Sequence, residues 1–484
     1  MKKGKARRSD KNPFENIFSK NSFIYIALFA LLIIIVISYN SRGWHDHFPG
    51  FESNYNQRIA SRLNIVSDLF NLEDELSLSE APVHYNFYNI SLSFIVGLPS
   101  IYIKLINIAL SLLMLYLVYK FLRENHTSKL VANISVMILV LSPIYVFYSI
   151  SLSIIVLFSI ISLLSMISLK RKHSVLTIFL SLLIPMFGIN FSIIYLFLIL
   201  AYSIYINKIK YFYIIFGVIV GSAMIFDYFI IGFSTFSFPA MTTYYLVREM
   251  ISEFGGVRGI SIMTFSLFIF GFVKLFLDKK KNTMQLLFLI AVISIFFFEY
   301  RFFFILNIAI SVYAACALSY LIRRKWFSDD LKNLTILIVI CGIAFTYLSF
   351  FGRVPELTPT SYHISSLELL RDREPGVVFT MPSLSAYVQN IANMPVLIDY
   401  FSYDQRILSD LNEILQSQSL RSTVALLEKY NVRYIFIDSA MKSQNWRQDD
   451  EGLLFILSDR DHFRQIYSSE FAEVWEFTNI HEED

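Results

Sequence analysis

The residues best suited to chemistry lie in the stretch Phe48-Pro49-Gly50-Phe51-Glu52-Ser53-Asn54-Tyr55-Asn56-Gln57-Arg58-Ile59-Ala60. Glu52, Tyr55 and Arg58 are spaced by three residues, which on a helix places them roughly on one side. A carboxylate so placed can take a proton from an attacking hydroxyl or amide, and Glu52 is the candidate base. A departing anion needs a fixed cation beside it, and Arg58, His84, Arg248 and Arg301 are the candidates. Tyr55 is suited to positioning the loop or a substrate. His45, Asp46 and His47 offer a weak ligand set for a divalent ion such as Mg or Mn. Plainer readings stay open. Glu52 can cap a juxtamembrane helix in a solvated loop, Arg58 can snorkel to an interface, and Arg248 and Arg258 can balance Glu249 and Glu253.

These residues sit in a chain of 484 residues that is 55% hydrophobic, with a mean hydropathy of +0.55. That composition describes a polytopic membrane protein. The 47 Phe and 29 Tyr suit membrane interfaces and helix contacts. Basic residues are scattered through short loops rather than gathered on one element, which argues against nucleic acid as a partner. Cys316 and Cys341 both fall in apolar segments and read as packing residues, so no disulfide framework is expected.

Residues 1–21 form a basic tail. The apolar run from Phe23 to Ser38 has no small-residue cleavage site after it and is expected to be a retained first span. A polar loop follows over 41–100, with an amphipathic piece from Pro82 to Leu98 expected to lie along the interface. Ten further spans are expected near 101–122, 130–148, 152–169, 174–189, 191–207, 211–233, 259–277, 283–298, 302–322 and 333–351. With about 11 spans, the basic clusters of the short loops all fall on one side: Lys120/Arg123/Lys129, Lys170-Arg171-Lys172, Lys208/Lys210, Lys279-Lys280-Lys281 and Arg323-Arg324-Lys325. The positive-inside tendency then places the N-terminus in the cytoplasm, and the Glu52 loop and everything after Gly352 outside it. Asp227, an acid inside a span near its outer end, has no assigned role.

Residues 353–484 are charged and carry β-like runs at 377–380, 395–398 and 434–437 with helical patterns between them at 410–416 and 423–430. They are expected to form a small extracytoplasmic α/β domain. The expected fold is therefore an α-helical polytopic bundle over 22–352 with a C-terminal α/β domain.

Several stretches resemble the GT-C superfamily, membrane glycosyltransferases that take a sugar from a polyprenyl-phosphate carrier. Phe51-Glu52-Ser53-Asn54-Tyr55-Asn56-Gln57-Arg58-Ile59-Ala60 is similar to their first-loop motif. Pro82-Val83-His84-Tyr85, Gly97-Leu98-Pro99-Ser100 and Lys104-Leu105-Ile106-Asn107 resemble the juxtamembrane helix and second span. Leu141-Ser142-Pro143-Ile144-Tyr145 resembles the end of the third span, Ile251-Ser252-Glu253-Phe254-Gly255-Gly256 a loop of archaeal members, and Glu299-Tyr300-Arg301-Phe302 the arginine that opens a late span. The tail resembles that of oligosaccharyltransferase catalytic subunits at Glu374-Pro375-Gly376-Val377-Val378-Phe379-Thr380, at Asn393-Met394-Pro395-Val396-Leu397-Ile398-Asp399 and at Leu426–Tyr434. Where those subunits carry Trp-Trp-Asp-Tyr-Gly, this chain has Met381-Pro382-Ser383-Leu384-Ser385, which argues against a peptide sequon as acceptor. Protein O-mannosyltransferases and aminoarabinose transferases are the other members it resembles. The second outer loop, Tyr148-Ser149-Ile150-Ser151-Leu152-Ser153, lacks the carboxylate that many members use to help hold a metal, which puts metal dependence in doubt.

The resemblance implies a glycosyltransferase that moves a hexosyl unit from a polyprenyl-phosphate-linked donor to a protein, lipid or glycan acceptor on the extracytoplasmic face, with Arg301 and the His84 region near the lipid phosphate. The alternatives are a degenerate scaffold or lipid-binding protein of the same fold, or a transporter. A transporter fits less well, because its charges belong at mid-membrane and the charges here collect at the faces.

Overall fold

The computed structural model describes residues 22–40, 48–63, 76, 78, 86–230, 250–254, 256, 259–277, 300–354, 359–399, 405–446, 448 and 451–478. Its first part is helical because long apolar runs, free of β-strand alternation, are punctuated by caps. The helices are α1 (Ser22–Asn40), α2 (Phe51–Arg62), α3 (Phe87–Ser93), α4 (Ser100–Glu124), α5 (Lys129–Val140), α6 (Pro143–Ile150), α7 (Ile154–Lys170), α8 (Ser174–Leu183), α9 (Ile189–Tyr205), α10 (Ile209–Ile230), α11 (Ile262–Leu277), α12 (Phe303–Arg323) and α13 (Asp329–Arg353). Asn86, Ser128, Ser153 and Ser328 each accept a backbone N–H at the start of the helix that follows, the usual remedy for its orphan donors.

Three helices among the described residues, α4, α12 and α13, are long and apolar enough to cross a membrane alone. α5 and α6 together make a fourth such span, bent by 64°. The expected single span at 130–148 is thus broken: Pro143 at the first turn of α6 cannot donate the hydrogen bond that would continue α5. Shorter apolar helices occupy the expected spans at 23–38, 152–169, 174–189, 191–207, 211–233 and 259–277; the span expected at 283–298 lies outside the described residues. The amphipathic piece expected over Pro82–Leu98 contains α3, and its first residues, His84 included, lie outside the described set.

The C-terminal domain holds α14 (Ser361–Arg371), β1 (Val377–Phe379), α15 (Pro382–Tyr387), α16 (Gln405–Gln416), α17 (Leu420–Lys429), β2 (Val432–Asp438), α18 (Ser439–Asn445), α19 (Gly452–Ile456), β3 (Phe463–Ser468) and β4 (Ala472–Phe477). The sheet order is β1-β2-β4-β3. β1 runs parallel to β2, with Phe379 opposite Ile435, while β4 runs antiparallel to both β2 and β3. The two-residue period of β2 divides its side chains: Ile435 and Ile437 face one apolar cluster with α16 and α17, and Tyr434 and Phe436 face another with α14. The run expected as a strand at 395–398 makes only an isolated bridge, Val378 to Val396. Strands β3 and β4 were not expected.

Candidate active site

α2 positions the site. Gly50 precedes it with φ 83°, a conformation that favours glycine, and a Cβ there would stand 3.3 Å from Phe147. Glu52 lies in the first turn of α2, where the helix dipole favours a carboxylate. It is 4% exposed, so the solvated-loop reading does not hold. Ser153 donates its hydroxyl to Glu52 Oε1 at 2.9 Å, and Arg301 Nη1 lies 4.0 Å from the same oxygen. Arg301 itself is 5% exposed. An acid from the first loop, a serine that caps α7, and an arginine from the lead-in to α12 therefore meet at one buried point.

The floor beneath this point is tied together through backbone carbonyls. Asn56 donates to Leu152 O at 2.9 Å, and the Leu152 N–H donates to Ser53 Oγ at 2.9 Å. Asn107 donates to Ser149 O at 2.8 Å and to Ser151 O at 2.9 Å. These amides fix the stretch 149–152 against α2 and α4. In such a buried setting each bond also spares a polar group the cost of being left without water.

The C-terminal domain closes over the other side of α2. Arg58, 2% exposed, pairs with the equally buried Asp399 at 3.5 Å, and its guanidinium lies 5.3 Å from the Tyr55 ring centroid. Asn390 donates to Asn54 Oδ1 at 2.9 Å, and Arg62 donates to Asn393 Oδ1 at 2.9 Å. Tyr55 and Ile59 pack with Ala386. The expectation of one shared face is thereby corrected. Each three-residue step lags a full helical turn by about 60°, so Glu52 faces the bundle while Tyr55 and Arg58 face the domain above it. Arg58 does not snorkel.

Among the remaining sequence candidates, His45, Asp46, His47, His84, Arg248 and the Asp227 side chain lie outside the described residues. Arg258 and Glu249 lie outside them too, so that of the expected charge-balanced set only Glu253 is described. Ser261 donates to Glu253 Oε1 at 3.1 Å, the Ile262 N–H donates to the same carboxylate, and Thr346 of α13 donates to it as well. It caps α11 and ties it to the last span.

Three residues of this region escaped the sequence reading. Lys104 is buried in the first turns of α4, its ammonium 5.5 Å from the Phe48 ring centroid. Tyr88 is buried. Burial pushes its phenol up, and the charge of Glu52 pushes it the same way, so it keeps its proton. Asn89, fully buried, has a carboxamide with no hydrogen-bond partner among the described residues. Lys104 lies in a stretch already notable for its motif; a lysine in the first turns of an apolar span was the available signal.

Glu52 is a poor metal ligand here. Its Oε1 is engaged by Ser153 and faced by a guanidinium, and among the described residues no group of three or more His, Cys, Asp or Glu is placed to hold an ion. The expected ligand set His45, Asp46 and His47 lies outside those residues.

Residues 22–193 match the family model of dolichyl-phosphate-mannose-protein mannosyltransferases. No curated protein sequence matches the chain. Among solved structures it is similar to the Archaeoglobus fulgidus oligosaccharyltransferase AglB in complex with an inhibitory peptide and dolichol phosphate. That likeness has TM-score 0.61 and 12% identity, and covers 93% of this chain and 73% of that one. The same enzyme in complex with Zn and sulfate gives TM-score 0.57 at 12% identity, over 93% and 72%. ArnT from Cupriavidus metallidurans bound to undecaprenyl phosphate gives TM-score 0.52 at 12% identity, over 94% and 98%. The chain thus shares its fold with these membrane enzymes across nearly its whole length, and its first part, which carries Glu52, resembles the mannosyltransferase family in sequence.

Proposed function

We propose that the chain transfers a hexosyl unit from a polyprenyl-phosphate-linked donor to an acceptor on the extracytoplasmic face, with Glu52 as the base. The observation that carries this reading is the buried convergence of Glu52, Ser153 and Arg301. The acceptor hydroxyl attacks the anomeric carbon, its proton passes to Glu52, and the bond from that carbon to the phosphate oxygen breaks with its electron pair on the phosphate. Arg301 and Lys104 are the described buried cations suited to hold that phosphate as its charge grows. Ser153 orients the carboxylate. Arg58 and Tyr55 act at one remove, by holding α2 under the C-terminal domain. The basic loops set the orientation: residues 1–21 and the Lys170 and Lys208 loops on the cytoplasmic side, residues 353–484 outside.

The test uses native membranes carrying the overproduced chain and a labelled polyprenyl-phosphate hexose, with label counted as it leaves the lipid fraction. Glu52→Gln, which keeps size and loses basicity, lowers transfer by about 10²- to 10⁴-fold, the range expected for loss of a positioned base. Wild-type transfer by a normally folded E52Q protein would remove Glu52 from the role.

A further inference from the structure

A cavity whose lining does not include Glu52 lies between α4, α5, α7, α9, α11 and α12, with a volume of about 520 Å³. That is within the range of binding sites for small ligands. Along α12 its wall runs from Ile305 to Ala317, a rise of about 18 Å at 1.5 Å per residue. It therefore traverses much of a hydrocarbon layer about 30 Å thick. Its inner end is formed by the α4–α5 loop at Asn125–Ser128, on the face that carries the basic loops.

Ser159, Ser162 and Tyr313 line its middle and far parts, and its charged groups gather at the inner end. Lys274 lines it, with its ammonium 3.2 Å from the Tyr320 ring centroid. Asn125, also in the wall, accepts from Lys170 Nζ at 2.9 Å and from the Tyr202 hydroxyl at 3.3 Å. Lys208 donates to the carbonyls of Leu169 and Lys170, the last turn of α7. The nearby carboxylate, Glu124, accepts from Arg171. Lys170, Lys208 and Lys274 thus leave net positive charge at one end of a long apolar slot. That is the shape and charge of a site for an amphiphile with an anionic head.

We infer that this cavity binds an anionic phospholipid of the leaflet on the basic-loop face, with an acyl chain along α12 and the phosphate beside Lys274 and Lys170. Basic pockets between transmembrane helices take anionic head groups in this way. The lipid-linked sugar donor does not satisfy the same geometry. Its phosphate belongs beside Arg301, at the opposite end of α12, whereas the cations of this cavity lie at the inner end.

The test is a binding measurement and does not depend on sugar transfer. Delipidated protein in detergent is titrated with phosphatidylglycerol and, separately, with phosphatidylcholine of the same acyl chains, and read by native mass spectrometry. The wild-type protein retains phosphatidylglycerol in preference. Lys274→Gln weakens that lipid about fivefold, the effect of one lysine near a lipid phosphate, and leaves phosphatidylcholine unchanged. Ala309→Phe fills the slot and weakens both lipids. Should A309F fail to fold, K274Q alone decides. Equal retention of the two lipids by the wild-type protein overturns the inference, as does an unchanged preference in K274Q. Displacement of the lipid by glycerol phosphate would also overturn it, by making the cavity a site for soluble anions.

Discussion

Asn390, in the C-terminal domain, donates its side-chain amide to Asn54 Oδ1 at 2.9 Å, two residues along α2 from Glu52. The helix that carries the candidate base is therefore held by two bodies at once, the helical bundle through Ser53 and Asn56 and the C-terminal domain through Asn54, Arg58 and Arg62. The second attachment combines these polar contacts with a small apolar cluster of Tyr55, Ile59, Leu63 and Ala386, so it is sensitive to single substitutions.

Asp399 is the most sensitive of them. Asp399→Asn leaves Arg58 charged and buried without its counter-ion, a loss on the order of 3–5 kcal/mol. Thermal unfolding in detergent should show a large fall in midpoint for D399N. The double variant D399N with Arg58→Met should recover part of it, because the stranded charge is gone. If the double variant is no more stable than D399N, the pair does not couple the domain to α2.

Ser153 has two tasks, capping α7 and orienting Glu52. Ser153→Ala should cost about 1 kcal/mol of stability through the lost cap. It should also lower transfer by more than that loss accounts for. Thr at this position keeps a hydroxyl and should restore the rate. Equal rates for S153A and the wild-type protein would reduce Ser153 to a cap.

The orientation is open to a direct check at Ser383, an exposed position near the start of α15. In intact cells, Ser383→Cys in a background lacking Cys316 and Cys341 should react with a membrane-impermeant maleimide. Reaction only after the cells are opened would invert the assigned topology.

Asp410 gives the C-terminal domain a pH signature. Lys429 donates to its carboxylate at 2.6 Å and Tyr430 at 2.5 Å, and these two bonds hold its pKa below the usual carboxylate value. A depressed folded-state pKa contributes stability above the unfolded value, about 3.9. That contribution is lost as pH falls through the folded value. Asp410→Asn should therefore narrow the difference in unfolding midpoint between pH 6 and about pH 3. An unchanged difference would show that Asp410 does not contribute to the acid limb.

Much of the bundle was legible because apolar length and loop charge are local signals, readable one span at a time. The break at Leu141–Ser142 was missed because hydropathy is unaffected by a proline that the next turn tolerates. Of the site, Glu52 and Arg301 were legible as ionisable residues at membrane edges. Their meeting was not, since 249 positions separate them in sequence and only packing sets the distance. The partner of Arg58 was hidden for the same reason: Asp399 directly follows a run, 395–398, that reads as an ordinary strand. Strands β3 and β4 were missed because partly exposed strands carry charged residues such as Arg464 and Glu473, which blur the alternation.

The broken span has a mechanical result. Past the bend, the Ile144 N–H donates to Gly259 O at 3.3 Å, and the strip around Gly259 is pinned in turn to Met250, Ser252 and, through Arg353, to the last helix. The shelf beneath Glu52 is thus stitched from three remote stretches and cannot tilt without dragging α13 along. Above it, the C-terminal domain holds α2 through the buried Arg58–Asp399 pair, the side-chain amides and the packing of Tyr55 and Ile59 on Ala386. Any displacement of the C-terminal domain is therefore passed to α2, the helix that carries Glu52.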